Sequence, residues 1–207
     1  MNVTDLDKFL AKLSSIESNA LISNQYREKN CVNNLRAYLS FLKPFRPSVL
    51  VLGEAPGYRG CRRTGIPFAS GSILARSPCF RPFRSQLRYN QNEHESTAQI
   101  VFKTVDQNPQ SFLKMVFWNA FPFHPHLYYN DKTNRPPDLN EIKLGAEFIL
   151  FLNSFFTFRQ YIGIGKVAFR LLTELYPGKA YEIRHPSNGG KPEFQAGWIN
   201  VWKEYIK

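Results

Sequence analysis

Acidic side chains are missing from a whole stretch of this chain. Between Tyr58 and Asn92 there is no Asp or Glu, yet there are seven arginines: Arg59, Arg62, Arg63, Arg76, Arg81, Arg84 and Arg88. The net charge is +11. A one-signed field of this kind suits a polyanion such as nucleic acid, the other reading being a surface that is merely basic. Cysteine is also scarce. Cys31, Cys61 and Cys79 are the only three, and no two form a C-x-x-C pair. An iron–sulfur or zinc centre needs about four clustered ligands, so reduced structural thiols are expected. No apolar run reaches the ~18 residues of a membrane span. The opening MNVTDLDKFLAKL is polar and carries acids, so it reads as neither signal nor transit peptide. A cytoplasmic protein is expected, associated with the nucleoid if prokaryotic. There is no internal repeat and no low-complexity linker.

What is present suits one globular domain. The chain has 207 residues and 43% hydrophobic content, enough for a sizeable core. Residues 1–46 read as a helical segment. Leu6, Phe9, Leu10 and Leu13 recur at helical spacing, and Leu35, Tyr38, Leu39 and Leu42 form a second stripe that stops at Pro44. Residues 47–207 read as an α/β core. Short apolar runs at Ser48–Leu52, Lys114–Trp118, Tyr161–Ile164 and Ala180–Ile183 predict four strands. Helical patterns cover Leu139–Phe156, Lys166–Tyr176 and Phe194–Tyr205. Alternation of this kind predicts a three-layer α/β/α sandwich around a parallel four-stranded sheet, with the N-terminal helices packed on it.

Ligands of such sheets bind at the carboxyl ends of the strands. Three motifs fall there. The first strand runs into GEAPGYRGCRRTGIPF, Gly53 to Phe68. Gly53 and Gly57 allow a positive φ or a close backbone approach, and Pro56 fixes its own φ. The stretch lacks the Lys-Ser/Thr of a P-loop and the GxGxxG fingerprint, so alone it says only that the chain turns tightly. Phe68 is either core or a plate for a nucleobase. In WNAFPFHPH, Asn119 ends the second strand. Its amide can read a base edge that carries both a carbonyl and an N–H, or simply form a turn. His124 and His126 have no third ligand at suitable spacing and read as structural or exposed. In RHPSNGGKP, His185 ends the fourth strand. Ser187, the backbone of Asn188 to Gly190, and Lys191 suit phosphates, or form an ordinary strand-to-helix turn.

Taken together the motifs resemble the uracil-DNA glycosylase superfamily. Gly53, Pro56, Gly57, Gly60, Thr64, Gly65, Pro67 and Phe68 are similar in spacing to the first motif of the single-strand-selective monofunctional branch. GEAPG is similar to the iron–sulfur branch, whose four cluster cysteines are absent here. HPSNGGKPEFQAGW resembles the closing motif of the single-strand-selective branch.

The resemblance implies a monofunctional glycosylase that flips uracil or a related deaminated base out of DNA and hydrolyses its N-glycosidic bond. It is implied to act as a monomer, in base excision repair, without a cofactor. Phe68 would stack on the base, Asn119 would bind its O4 and N3 edge, and His185 would donate to O2. Gly53, Ala55 and Gly57 would border the base, while Arg62, Arg63, Ser187, Asn188 and Lys191 would hold DNA. Relatives carry Asp or Asn where this chain has Ala55. The attacking water therefore falls to Glu54 or to backbone carbonyls. Gly57 replaces a Tyr that in the most uracil-specific branch blocks a 5-methyl group, so 5-substituted uracils are expected to fit. Hypoxanthine or xanthine as substrate, or DNA binding without catalysis, are the alternatives.

Overall fold

The computed structural model describes residues 3–206. The elements run α1 (Val3–Ser15), β1 (Ile22–Ser23), α2 (Lys29–Leu42), β2 (Val49–Gly53), α3 (Cys61–Thr64), α4 (Gly71–Arg76), α5 (Ser96–Val105), β3 (Met115–Asn119), β4 (His124–Pro125), α6 (Leu139–Phe156), β5 (Gln160–Ile164), α7 (Lys166–Leu175), β6 (Ala180–Ile183) and α8 (Lys191–Val201). A π-helical turn, Trp202–Ile206, follows α8. The predicted α/β sandwich is observed. Four parallel strands lie in the order β3-β2-β5-β6. The two central-motif strands begin and end one residue later than their apolar runs, so Gly53 and Asn119 belong to the strands rather than to the turns.

Alternation along β3 shows how the layers form. Phe117 faces α5 and α8, with ring centroids 5.7 Å from Phe102 and 6.3 Å from Trp198. Trp118 points to the opposite face, 5.6 Å from Phe9 of α1, which in turn meets Phe148 of α6 at 6.0 Å. A period of two thus separates two helical layers with one strand. β2 and β3 are buried along their whole length, as expected for strands covered on both faces. The helix α5 and the two-residue ladder β1–β4 have no counterpart in the predicted elements. α5 begins on the capping carboxylate of Glu95, which accepts from Thr97 and Ala98 N–H.

The N-terminal helices do more than cover the sheet. The outer edge of β3 is closed by α2, where the Phe117 N–H donates to the Tyr38 hydroxyl at 2.8 Å, a way of satisfying an edge strand. Asn34 of α2 is fully buried. Its Nδ2 donates to the carbonyls of Thr64 (2.8 Å) and Arg88 (2.7 Å), and its Oδ1 accepts from the Arg88 N–H (2.8 Å). Next door, Gly65 sits at φ +75°, and a β-carbon there would lie 2.3 Å from the Cys31 carbonyl oxygen. The arginine-rich loop is therefore bolted to α2 before it reaches Phe68.

Asn34→Ala would strip a partner from the buried Thr64 carbonyl, worth about 1–3 kcal/mol when left unpaired, and from two part-buried backbone groups of Arg88. A melting temperature lower by roughly 5–10 °C is expected, measured by circular dichroism.

Candidate active site

The carboxyl ends of the strands open into a cleft of about 490 Å³. Glu54, Ala55, Gly57, Phe68, Asn119, His185 and Ser187 all line it. The parallel register brings the first two motifs together, since Gly53 of β2 pairs with Asn119 of β3. β6 pairs with β5, Ile183 opposite Ile164, and this places His185 beside Gly165.

Gly53 itself does not line the cleft. It lies beneath it, and the reason for a glycine is contact. A β-carbon there would be 2.4 Å from Phe68 Cζ and 2.9 Å from Asn119 Oδ1. The Phe68 ring occupies the space that any side chain at 53 would need. Neither Gly53 nor Gly57 has a positive φ; the left-handed residue is Phe68, at φ +59°. A bulky residue there is strained, and such strain gathers at functional sites. Phe68 is 9% exposed and meets Phe117 edge-on at 5.6 Å. It is core on one side and cleft wall on the other.

Asn119 is buried, and its Nδ2 donates to Cys61 Sγ at 3.9 Å. Burial raises the Cys61 thiol well above its ordinary range, so the sulfur is a neutral acceptor. It also receives Nε2 of Gln25 at 4.0 Å, and that amide is oriented by its 2.7 Å bond to the Pro122 carbonyl. The amide of Asn119 is thereby held with Nδ2 toward Cys61 and Oδ1 toward Gly53.

The tautomer of His185 follows from its neighbour. The Ser187 N–H donates to His185 Nδ1 at 3.2 Å, and the Ser187 hydroxyl lies 2.7 Å from the same atom. Nδ1 is therefore an acceptor, and Nε2 carries the proton. Burial, then the charge of Arg184, lowers the imidazole's pKa, so the ring at neutral pH is an uncharged Nε2–H donor. Ser187 is committed to orienting this ring rather than free for phosphate.

Glu54 is half-buried, and burial alone raises its carboxyl pKa. The carbonyls around it are largely taken. Gly53 O accepts from Ala120, Glu54 O from Phe121 and Gly57 O from Gly60, while Pro56 O bonds the His124 ring at 2.7 Å.

The DNA-binding candidates are spread more widely. Arg62 is paired with Asp131 and mostly covered, so its charge is already spent within the fold. Arg63 lies 4.0 Å from Glu93. Asn188, at φ +49°, is exposed on the loop beyond His185, and Lys191 lines a separate depression with Arg76 and Lys103. His124 and His126 are buried and bond backbone carbonyls. Among the described residues no group of three or more His, Cys, Asp or Glu is arranged to hold a metal.

Cys61, Glu95, Arg135, Lys166 and Arg184 also border the cleft, and sequence reasoning did not single them out. Lys166 had a signal: it follows the third strand end, one residue after Gly165. Arg135 had none, because its position depends on a bidentate pair with the buried Glu141, at 2.5 and 2.7 Å.

A neutral His185 makes stability pH-dependent. Its folded-state pKa lies below the unfolded value of about 6.5, so the unfolded chain takes up the proton first as pH falls. The stability is complete above about pH 6.5 and is lost as pH drops through the folded-state value. His124 shifts in the same direction and Glu54 in the opposite one, but both remain in His185→Asn. The melting temperature of that variant is expected to fall less steeply than wild type between about pH 6.5 and about pH 5.

Comparison with known proteins places the family and the fold. The model of the uracil DNA glycosylase superfamily matches residues 39–195. No curated protein matches the chain. Among solved structures, wild-type SMUG2 of Pedobacter heparinus superposes with a TM-score of 0.69 at 16% identity, covering 96% of this chain and 97% of that one. The matched model takes in β2 with its arginine-rich loop, Asn119 and His185, and on that ground the chain belongs to the uracil DNA glycosylase superfamily.

Proposed function

We propose that the protein is a monofunctional DNA glycosylase that removes uracil or a related deaminated base and acts as a monomer on DNA. The observation that carries this is the meeting of Phe68, Asn119 and the neutral Nε2–H of His185 on one cleft. Uracil enters flipped from the strand, because its glycosidic bond is out of reach in the stack. Phe68 supports its face. Asn119 accepts from N3–H through Oδ1 and donates to O4 through the Nδ2 proton not given to Cys61. As the bond from C1′ to N1 breaks, its electron pair moves onto the base and charge grows on O2. His185 Nε2–H donates there without having to lose or gain a proton. Lys166 at the first turn of α7, together with Arg184, adds positive potential for the departing base anion.

The polar side chain missing at Ala55 is replaced by that of Glu54. Glu54 lines the cleft, and the raised pKa makes its carboxyl the better proton acceptor. The carbonyls of Gly53, Glu54, Pro56 and Gly57 each accept a hydrogen bond within the fold, and a backbone carbonyl cannot take the water's proton, which favours the Glu54 carboxyl. Water adds to C1′, its proton passes to Glu54, and an abasic sugar remains. Lys166 is exposed and lacks the desolvation that makes an amine a good nucleophile, which favours hydrolysis over strand cleavage.

Labelled oligonucleotides carrying one uracil, hypoxanthine, xanthine or 5-hydroxymethyluracil, single- or double-stranded, test this after alkali treatment. Uracil excision is expected, with Glu54→Gln slowing the single-turnover rate about 10²-fold and His185→Ala about 10²–10³-fold. Excision of purines alone would move the substrate to hypoxanthine or xanthine. Salt-sensitive DNA binding with no excision would leave a binding protein.

A β-carbon at Gly57 would meet nothing within 4 Å. Gly57→Tyr is therefore expected to fold, to keep cutting uracil and to refuse 5-hydroxymethyluracil. Equal loss of both substrates would show that position 57 does not face the 5-substituent.

A further inference from the structure

The most exposed aromatic surface of the molecule sits on the turn after β4. Leu127, Tyr128 and Tyr129 are 55%, 71% and 77% exposed. The two tyrosine rings meet edge to face with centroids 4.5 Å apart. Turn tips are normally given to Gly, Asn, Asp or Ser, which suit the backbone and have little to bury. Here Tyr129 takes φ +52°, a conformation unfavourable for a side chain of its size.

The turn is not loose. Asn130 N–H donates to the Leu127 carbonyl at 2.9 Å, Leu127 N–H to Thr133 Oγ1 at 3.0 Å, and the Thr133 hydroxyl to the Asn130 carbonyl at 2.6 Å. Tyr129 N–H is tied to the Ala20 carbonyl at 2.8 Å, and His126 N–H to Leu21 at 2.9 Å. The backbone is fixed while the rings face water. Large rigid aromatic surface held in this way binds with little further loss of conformational freedom.

Charge says what it would bind. Lys132 of the same turn shares a groove of about 370 Å³ with Arg59 and Arg63, and the Arg59 guanidinium lies 5.1 Å over the Tyr58 ring. Asp131 is neutralised by Arg62, which leaves Glu93 as the acid lining the groove against three cations. Aromatic faces beside a cationic groove are the chemistry of single-stranded nucleic acid, where bases stack and phosphates follow the charge. The turn is also near the site. Pro125 lines the cleft and Tyr128 is three residues on, so their Cα atoms lie within roughly 11 Å, about three base steps.

We propose that Tyr128 and Tyr129 form a base-stacking clamp for nucleotides flanking the flipped one, with Arg59 and Lys132 on their phosphates. This rests on the reading of the cleft as a site for a flipped nucleotide.

The test uses the full chain and a labelled 20-nucleotide single strand holding one 2′-fluoro-2′-deoxyuridine, which resists hydrolysis, or thymidine in its place. Anisotropy titrations of Tyr128→Ala and Tyr129→Ala are expected to show affinity about 5- to 150-fold weaker for each stacked base lost. Tyr128→Phe and Tyr129→Phe should bind as wild type, because stacking needs the ring and not the hydroxyl. The salt slope should stay unchanged in the tyrosine variants and fall by about 0.7 in Arg59→Ala or Lys132→Ala. Alanine variants that remain folded and bind both strands like wild type would overturn the clamp. Asn119→Ala separates this from the cleft reading, since it should remove the preference for the uridine strand while leaving the tyrosine contribution intact. A wild type without that preference would sink the cleft reading alone, and the thymidine strand would still judge the clamp.

Discussion

The space above Gly53 is where the site's demands collide. Two groups need it: the Phe68 ring, whose Cζ would stand 2.4 Å from a β-carbon, and the Asn119 amide oxygen, 2.9 Å from it. Both can be present only because residue 53 has no side chain. The parallel register then does the rest, since Gly53 and Asn119 are direct partners on neighbouring strands. An aromatic face and a side-chain amide are thus fixed relative to one another by sheet geometry, which is stiffer than any loop. The strain sits on Phe68, whose positive φ turns the ring back over the strand it has just left.

The surrounding structure can be understood as what keeps that arrangement from relaxing. Asn34 and the Cys31 carbonyl hold the loop from the α2 side. Gln25, in the segment before α2, reaches the same Cys61 sulfur that receives the Asn119 amide. A sulfur acceptor forms a weak hydrogen bond, but a buried amide proton without any partner would cost more. The N-terminal segment therefore helps to hold the cleft through position, since it touches residues that line it.

Much of this was legible in the sequence, for identifiable reasons. Buried parallel strands read as continuous apolar runs, so the sheet and the strand ends emerged at once, and with them Asn119 and His185. The glycines and Phe68 were recognisable through the spacing that the first motif shares with the glycosylase superfamily, and at Gly53 and Gly65 close packing leaves no room for a side chain. What could not be read depends on partners distant in the chain. Arg62 looked like a phosphate ligand but is bound to Asp131, 69 residues away. Ser187 looked like a phosphate ligand too, yet it sets the tautomer of His185. Cys61 passed as an inert thiol because only the fold brings Asn119 to it. α5 was missed because its start is a Glu cap, a weaker signal than Ser, Thr, Asp or Asn.

Electrostatics gives the cleft a division of labour that no single motif contains. Glu54 and His185 lie on it with burial as their main perturbation, and burial moves them in opposite directions. Both are pushed toward the uncharged form, as desolvation requires. For Glu54 that means a carboxylate more ready to take a proton. For His185 it means a ring that donates without being cationic. A cationic imidazole would attract the base anion more strongly, but it would need Nδ1 protonated, facing the Ser187 N–H that now donates to it. The loop after β6 thus favours a neutral donor, and among the described residues the unpaired positive charge on the cleft comes from others, Arg184 and Lys166 at its rim. Under the proposed mechanism the charge that would stabilise a departing anion and the group that would handle a proton are different residues, so each can be tuned by its own surroundings.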